Sequence, residues 1–223
     1  MKQHFVKVKS IRHITHDVLQ IVTEKPQQFN FKPGQATEVS INKEGWQNEK
    51  RPFTFTSLPD YDYLEFVIKT YPSKISVTNE LLKLKVNDEL ILRDIFGAIE
   101  YKGEGLFIAG GTGITPFICI FRSLKSKHEI GGNKLIFANK TIGDIILAQE
   151  FKKLMGNNFI NILSEEKAEN YAYGKVTEQF IKKHIPRDCK NVYLCGPPLM
   201  IDALEKSLAK LQVDEKLITK EKL

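Results

Sequence analysis

Between residues 5 and about 100, apolar and polar side chains alternate in short runs: FVKVKSI (5–11), VLQIVT (18–23), ATEVSI (36–41), YLEFVIK (63–69) and ELILRD (89–94). A two-residue period is that of a strand with one buried face. Turn signals such as Lys32-Pro33-Gly34, Leu58-Pro59-Asp60 and Val86-Asn87-Asp88 separate the runs. Only VTNELLKL (77–84) offers a helical pattern in this half. About six short strands at this spacing predict a small antiparallel barrel.

After Tyr101-Lys102-Gly103-Glu104-Gly105 the period changes. Apolar runs LFIA (106–109), LIFA (135–138), FINIL (159–163), VYLC (192–195) and KLIT (216–219) now alternate with helical stretches. Leu147, Phe151, Leu154 and Met155 mark one helical face, and Ile201, Leu204, Leu208 and Leu211 another. Wholly apolar strands separated by helices predict a doubly wound, five-stranded parallel sheet. The expected architecture is two-domain: a six-stranded antiparallel β-barrel over residues 1–102, then an α/β domain over 103–223.

In a doubly wound sheet of order 3-2-1-4-5, a ligand binds where strands 1 and 4 end, because the winding reverses there. The two turns due at that point are GGTGITP (110–116) and CGPPLM (195–200). Glycines let backbone approach a phosphate, and free N–H groups at a helix start favour an anion. The first turn is neither G-x-G-x-x-G nor a P-loop, so the common dinucleotide and NTPase motifs are excluded while a nucleotide stays the natural occupant. Each turn taken separately is equally well a tight strand-to-helix connection. Cys195 has three readings: a small core residue, a nucleophile, or a compact wall against a reacting ring.

Composition narrows the class. Three cysteines without a C-x-x-C spacing exclude a thiolate zinc or iron–sulfur site from this chain, and the expected compartment is the reducing cytoplasm. The five histidines lack metal-ligand spacing, so no metal is expected. No G-x-S-x-G or H-E-x-x-H supports hydrolase chemistry. Residues 1–18 contain no signal-like apolar run and no segment approaches a membrane span. The net charge of +6 comes from scattered lysines with no aromatic-interleaved basic block, so nucleic acid is not an expected partner.

Only five of the 33 basic residues are arginine, and one opens RPFTFTS (51–57). An arginine in a lysine-rich chain hints at a planar, bidentate partner such as phosphate. The alternative is an ordinary strand with Phe53 and Phe55 on its buried face.

RPFT (51–54) resembles the R-x-[YF]-[ST] flavin motif of the ferredoxin–NADP reductase superfamily. VTNEL (77–81) resembles that family's pyrophosphate-holding segment, GGTGITP its nicotinamide dinucleotide turn, and CGPP (195–198) its turn beside the nicotinamide. DIFG (94–97) and YGKV (173–176) resemble further landmarks. The resemblance runs from about residue 5 to 220, with the motifs in order, and is nearest to bacterial flavodoxin or ferredoxin reductases.

It implies FAD as bound cofactor and NADPH or NADH as cosubstrate. Arg51 would hold the FAD pyrophosphate beside Pro52; Phe53, where the family more often has Tyr, would lie against the isoalloxazine; Thr54 would address the hydride-accepting N5. Ile68, Lys69 and Thr70 would edge the flavin and Tyr71 would stack on the cofactor, while Ser76, Val77 and Thr78 would cap the pyrophosphate. Gly111, Thr112 and Gly113 would admit the coenzyme pyrophosphate. Thr115, Pro116, Cys195, Gly196 and Pro197 would stand near the nicotinamide, with Thr54 and Cys195 as the catalytic pair. Asn139 and Lys140, after strand 2, would face the adenosine end. The absence of Asp or Glu in residues 137–141 favours NADPH, with Lys140 against a 2′-phosphate or simply exposed, whereas Glu165 and Glu166 would oppose a phosphate. Two departures stand out: Ser73-Lys74-Ile75 replace the glycines of many relatives, and the chain ends in Glu221-Lys222-Leu223 in place of a terminal aromatic.

The implied activity is hydride transfer from the coenzyme to flavin, then electron transfer to an acidic carrier protein such as flavodoxin or ferredoxin, by a monomer. The alternatives are the reductase component of an oxygenase, a free-flavin or ferric reductase, and a nucleotide-binding regulatory subunit without turnover.

Overall fold

A computed structural model describes residues 2–71, 76–97, 99–187 and 189–222, the last without its side chain. Ser73, Lys74 and Ile75 lie outside the described residues. The chain divides into two compact units, Met1–Gly97 and Ala98–Leu223.

The first unit is built from β1 (His4–His13), β2 (Val18–Glu24), β3 (Ala36–Ile41), β4 (Arg51–Thr54), β5 (Tyr63–Lys69) and β6 (Glu89–Phe96). They form one antiparallel sheet in the order β4-β3-β6-β1-β2-β5. An antiparallel bridge, Phe55↔Phe66, then joins the two edge strands, so the sheet nearly closes into a barrel and hides its edges. The same bridge makes Phe55 core: it is fully buried, stacked on Phe31 at 4.2 Å and packed against Phe29 and Phe66. Thr56 is buried beside it, its hydroxyl donating to the Glu65 carboxylate at 2.8 Å. The tail of RPFTFTS is thus barrel packing, while its first four residues form the exposed to half-buried strand β4. The helical pattern at 77–84 becomes one short helix, α1 (Val77–Glu80), followed by a tighter turn over Leu81–Lys83.

In the second unit six parallel strands lie in the order β10-β9-β8-β7-β11-β12. These are β7 (Leu106–Gly110), β8 (Lys134–Asn139), β9 (Phe159–Leu163), β10 (Ala172–Tyr173), β11 (Val192–Gly196) and β12 (Ile218–Lys222). Five of them reproduce the 3-2-1-4-5 order; β10, two residues long and paired only with β9, is too short for any periodicity to announce. The helices are α2 (Thr115–Ser126), α3 (Ala148–Met155), α4 (Glu178–His184) and α5 (Pro198–Lys210). Ile201, Leu204 and Leu208 of α5 pack on Leu106, Ile108, Val192 and Leu194, as their spacing predicts. Phe107, Phe117, Phe121 and Phe151 make an aromatic chain with centroids 4.7 to 6.0 Å apart. Leu147, placed by its spacing on one helical face with Phe151, Leu154 and Met155, caps α3 with φ +52° instead. Tyr193, fully buried in β11, donates to Gly103 O and accepts from Lys102 N, both at 2.8 Å, which fastens the start of this unit to its own sheet. Among the described residues no helix is long and apolar enough to cross a membrane.

Candidate functional site

In the first unit the candidate residues gather where β4 and β5 leave the barrel. Because the Phe55↔Phe66 bridge is antiparallel, chain running back from 55 to 51 lies along chain running on from 66 to 70. Arg51, in register with Val39, is exposed, and among the described residues its guanidinium bonds only Lys50 O, at 2.6 Å. Pro52 is exposed, and Phe53 and Thr54 are half-buried opposite Thr37 and Ala36. On the neighbouring edge Ile68 and Thr70 are buried and Tyr71 is exposed. The Lys69 ammonium stands 2.6 Å from the Asp17 carboxylate, and the Thr70 hydroxyl donates to Asp17 O at 3.0 Å. Lys69 therefore offers backbone, not a free charge, to a ligand.

Ser76 caps α1, accepting from Asn79 N at 3.3 Å and lying 3.0 Å from the Thr78 hydroxyl. Val77 is buried as an anchor. The N–H groups of Val77 and Thr78 make no hydrogen bond among the described residues, as the first amides of a helix do. An exposed arginine fork and unspent helix-start amides are the donor set a pyrophosphate requires. The residues fit FAD.

In the second unit the two glycine turns meet, as the strand order demands. Gly111, Thr112 and Gly113 lie in one tight turn, Gly111–Ile114, directly after β7. A Cβ on Gly113 would fall inside the van der Waals surface of Cys195 O, and one on Gly196 would come within 3.2 Å of Gly110 N. Gly111, by contrast, has φ +52° and open space where a Cβ would stand. Two glycines thus close the turns on each other, while the third leaves bare backbone facing outward, a cradle a side chain would fill. Thr115 is buried and donates to Thr112 O at 3.0 Å; Pro116 stiffens the first turn of α2.

Cys195 is fully buried in β11, in register with Ala109 on one side and Glu221 on the other. Burial, helped by the Glu221 charge, pushes its thiol far above the ordinary range, so the nucleophile reading falls and the compact-wall and core readings stand. Gly196 is buried at the strand end, and Pro197 is exposed at the start of α5. The sequence reading missed Glu221, whose carboxyl burial also raises. No local signal marks it, since only parallel register puts it beside Cys195.

At the end of β8, Asn139 is buried and, among the described residues, neither atom of its amide has a partner. Asn161, in register with Phe137 on β9 and so on the same face, has an orphaned amide oxygen too. Unpaired buried amides are uncommon and suit a place completed by a ligand or water. Lys140 is not the free cation a 2′-phosphate needs: it pairs with Glu165 at 2.9 Å, and that partner raises its pKa. Glu166 accepts from Ile142 N at 2.7 Å, and Asp144 accepts from both the N–H and the hydroxyl of Thr141. Glu165 and Asp144 thus both act on Lys140, and Glu166 is spent on the turn that follows it. Asp144 lay three residues beyond Thr141, a spacing that signals such a cap.

Comparison with known proteins agrees with both halves. Residues 3–93 match the family described as FAD-binding domain, and residues 107–206 the one described as Oxidoreductase NAD-binding domain. NADH-cytochrome b5 reductase 1 of Aspergillus terreus is 32% identical over 231 residues, covering 94% of this chain and 77% of that protein. The chain spans 63% to 78% of the length of the curated relatives it matches. Among solved structures, a ferredoxin NADP+ reductase from Neisseria gonorrhoeae superposes with TM-score 0.86 at 16% identity, covering 100% of this chain and 99% of the other. The flavohem-like FAD/NAD-binding domain of nitric oxide dioxygenase from Vibrio cholerae does so with TM-score 0.86 at 22% identity over 98% of each chain. At these identities the structural likeness is one of fold.

Proposed function

The chain belongs to the ferredoxin–NADP reductase superfamily of FAD- and NAD-binding oxidoreductases, and from that premise we propose that it moves electrons from NADH through FAD to a small acidic carrier protein. It is an NAD(P)H-dependent flavoprotein oxidoreductase; the preference for NADH, the carrier and the residue roles are our reading. Bound FAD supplies the chemistry, taking hydride from the coenzyme and releasing electrons onward. Arg51 and the amides of residues 77 and 78 hold its pyrophosphate. Phe53 gives an apolar surface to the ring, and the Thr54 hydroxyl donates a hydrogen bond to the ring atom that receives hydride. Gly111 admits the coenzyme pyrophosphate to bare backbone, while Gly113 holds its turn against Cys195 O. Cys195, kept as a neutral thiol, walls the nicotinamide without competing as a nucleophile.

The observation that carries this reading is the closure of Gly113 on Cys195 O with Gly111 left open. It makes one dinucleotide cradle from two turns whose touching residues, Gly113 and Cys195, are 82 positions apart in sequence. NADH is favoured over NADPH because a dianionic 2′-phosphate would meet Glu165, Glu166 and Asp144, with Lys140 already paired. The net charge of +6 supports an acidic carrier: flavodoxin or ferredoxin by the sequence motifs, a cytochrome b5 by the names of the relatives. Three free cysteines support a reducing, cytoplasmic setting.

The purified protein is expected to be yellow and to bleach under argon on adding NADH, and far more slowly with NADPH. Colour that persists with both coenzymes would refute the reductase reading. Flavodoxin, ferredoxin and cytochrome b5 offered in parallel to the bleached protein then identify the carrier class.

A further inference from the structure

Two buried charged residues of the first unit have no part in the chemistry above, and both reach one loop. Residues 42–50 connect β3 to β4 and end at Arg51. Arg93 on β6 is 3% exposed and has no carboxylate partner among the described residues; its guanidinium donates to Ser40 Oγ at 2.9 Å and to Gln47 O at 2.8 Å. Ser40 Oγ donates to the same Gln47 O at 2.8 Å, so two groups converge on one loop carbonyl. A guanidinium costs much to bury without an anion, and here its main return is a fixed loop backbone.

The other anchor is Glu80, 5% exposed, on α1. One carboxylate oxygen accepts from Lys43 at 2.6 Å, at the start of the loop, and the other from Lys83 at 2.7 Å, on the turn after α1. Together these ion pairs hold the Glu80 carboxyl below its usual range. Asn42 and Gln47 also bond side chain to side chain at 2.8 Å, which stiffens the loop between its anchors.

We propose that residues 42–50 act as a strap that spaces Arg51 from the α1 amides, with Glu80 (through Lys43) and Arg93 (through Gln47) as its positioning residues. The strap joins both halves of the anion site: one end is tied to the helix carrying Ser76, Val77 and Thr78, and the other leads to Arg51. It therefore governs how long FAD stays bound, not how fast the coenzyme is oxidised. The proposal rests on the FAD reading of those two halves.

The experiment measures FAD release after dilution of the yellow holoprotein, by recovery of free-flavin fluorescence. Lys43→Met, Glu80→Gln and Arg93→Lys should each speed release about tenfold, the size of an ordinary coupling between contacting charged groups, with KM for NADH unchanged. The double variant Lys43→Met/Glu80→Gln should release no faster than either single one. Lys83→Met is the discriminating control, because that pair lies within the α1 segment and not across to the strap; it should release at the wild-type rate. Lys43 is mostly solvent-exposed, so its variant keeps the test usable where a buried substitution prevents folding. Unchanged release in Lys43→Met, or equal acceleration in Lys83→Met, overturns the strap. A wild-type chain that takes up no FAD overturns the reductase reading itself.

Discussion

Burial decides what the reactive-looking residues can do. Cys195 stands where a coenzyme ring is expected, yet its thiol is held neutral by the apolar sheet around it and by Glu221 in the next strand. At pH 8 iodoacetamide should label half-exposed Cys189 and leave Cys195 unmodified until urea is added, as read by peptide mass spectrometry. Early labelling of Cys195 would remove it from the core of β11. Thr54, half-buried on β4, is the opposite case, with no hydrogen bond to its hydroxyl among the described residues. Thr54→Ala should slow flavin reduction in stopped flow by about tenfold or more while FAD affinity changes by less than about threefold. Full-speed reduction in that variant would end the assignment.

At the scale of elements, the turn after β7 divides its labour between two glycines two positions apart. Gly113 touches the end of β11, so an added methyl must push the two strands apart; Gly111 faces open space and carries only a left-handed backbone. Gly113→Ala should cost about 3 kcal/mol or more of stability, by the mechanism of overpacking. Gly111→Ala should cost only about 1 kcal/mol, yet weaken NADH binding, because the methyl occupies the cradle. Thermal melting and coenzyme titration of the two variants separate these outcomes; equal melting losses would contradict the division. The motif GGTGITP was legible in sequence, but which glycine closes on β11 and which leaves its backbone open was not. That follows from Cys195 of β11, 82 positions further along the chain.

For the whole molecule, charge and titration set the conditions of activity. Tyr193 is pushed up to about 12 by burial, against a smaller opposing effect of the Lys102 N–H that it accepts. The folded chain thus holds this proton more tightly than the unfolded chain. The resulting stability is complete below pH 10 and is lost as pH rises from about 10 towards 12. Tyr193→Phe, which has nothing to titrate there, should show a shallower fall in melting temperature across that window. Identical slopes would remove Tyr193 as the cause. A net charge of +6 should also make reduction of an acidic carrier fall several-fold between about 50 and 300 mM salt, while a neutral quinone acceptor is unaffected.

Sequence by itself determined the order of elements, because burial on one face or two writes a period of 2 or a continuous apolar run into the chain. It placed Phe55 on a buried face, α5 by its Ile201, Leu204 and Leu208 face, and the switch point by the order of five strands. It also isolated RPFT and the two glycine turns, since arginine and clustered glycine are costly choices away from a ligand. Tertiary structure decided what depends on neighbours distant in sequence. β10 exists only because Leu163 offers an edge, Glu221 matters only through its register with Cys195, and Lys140 lost its expected freedom to Glu165, 25 residues on. The strap over β3 and β6 belongs to the same class. Glu80 and Arg93 read as ordinary charged positions along the chain, and only folding brings them to one loop with little water to screen them.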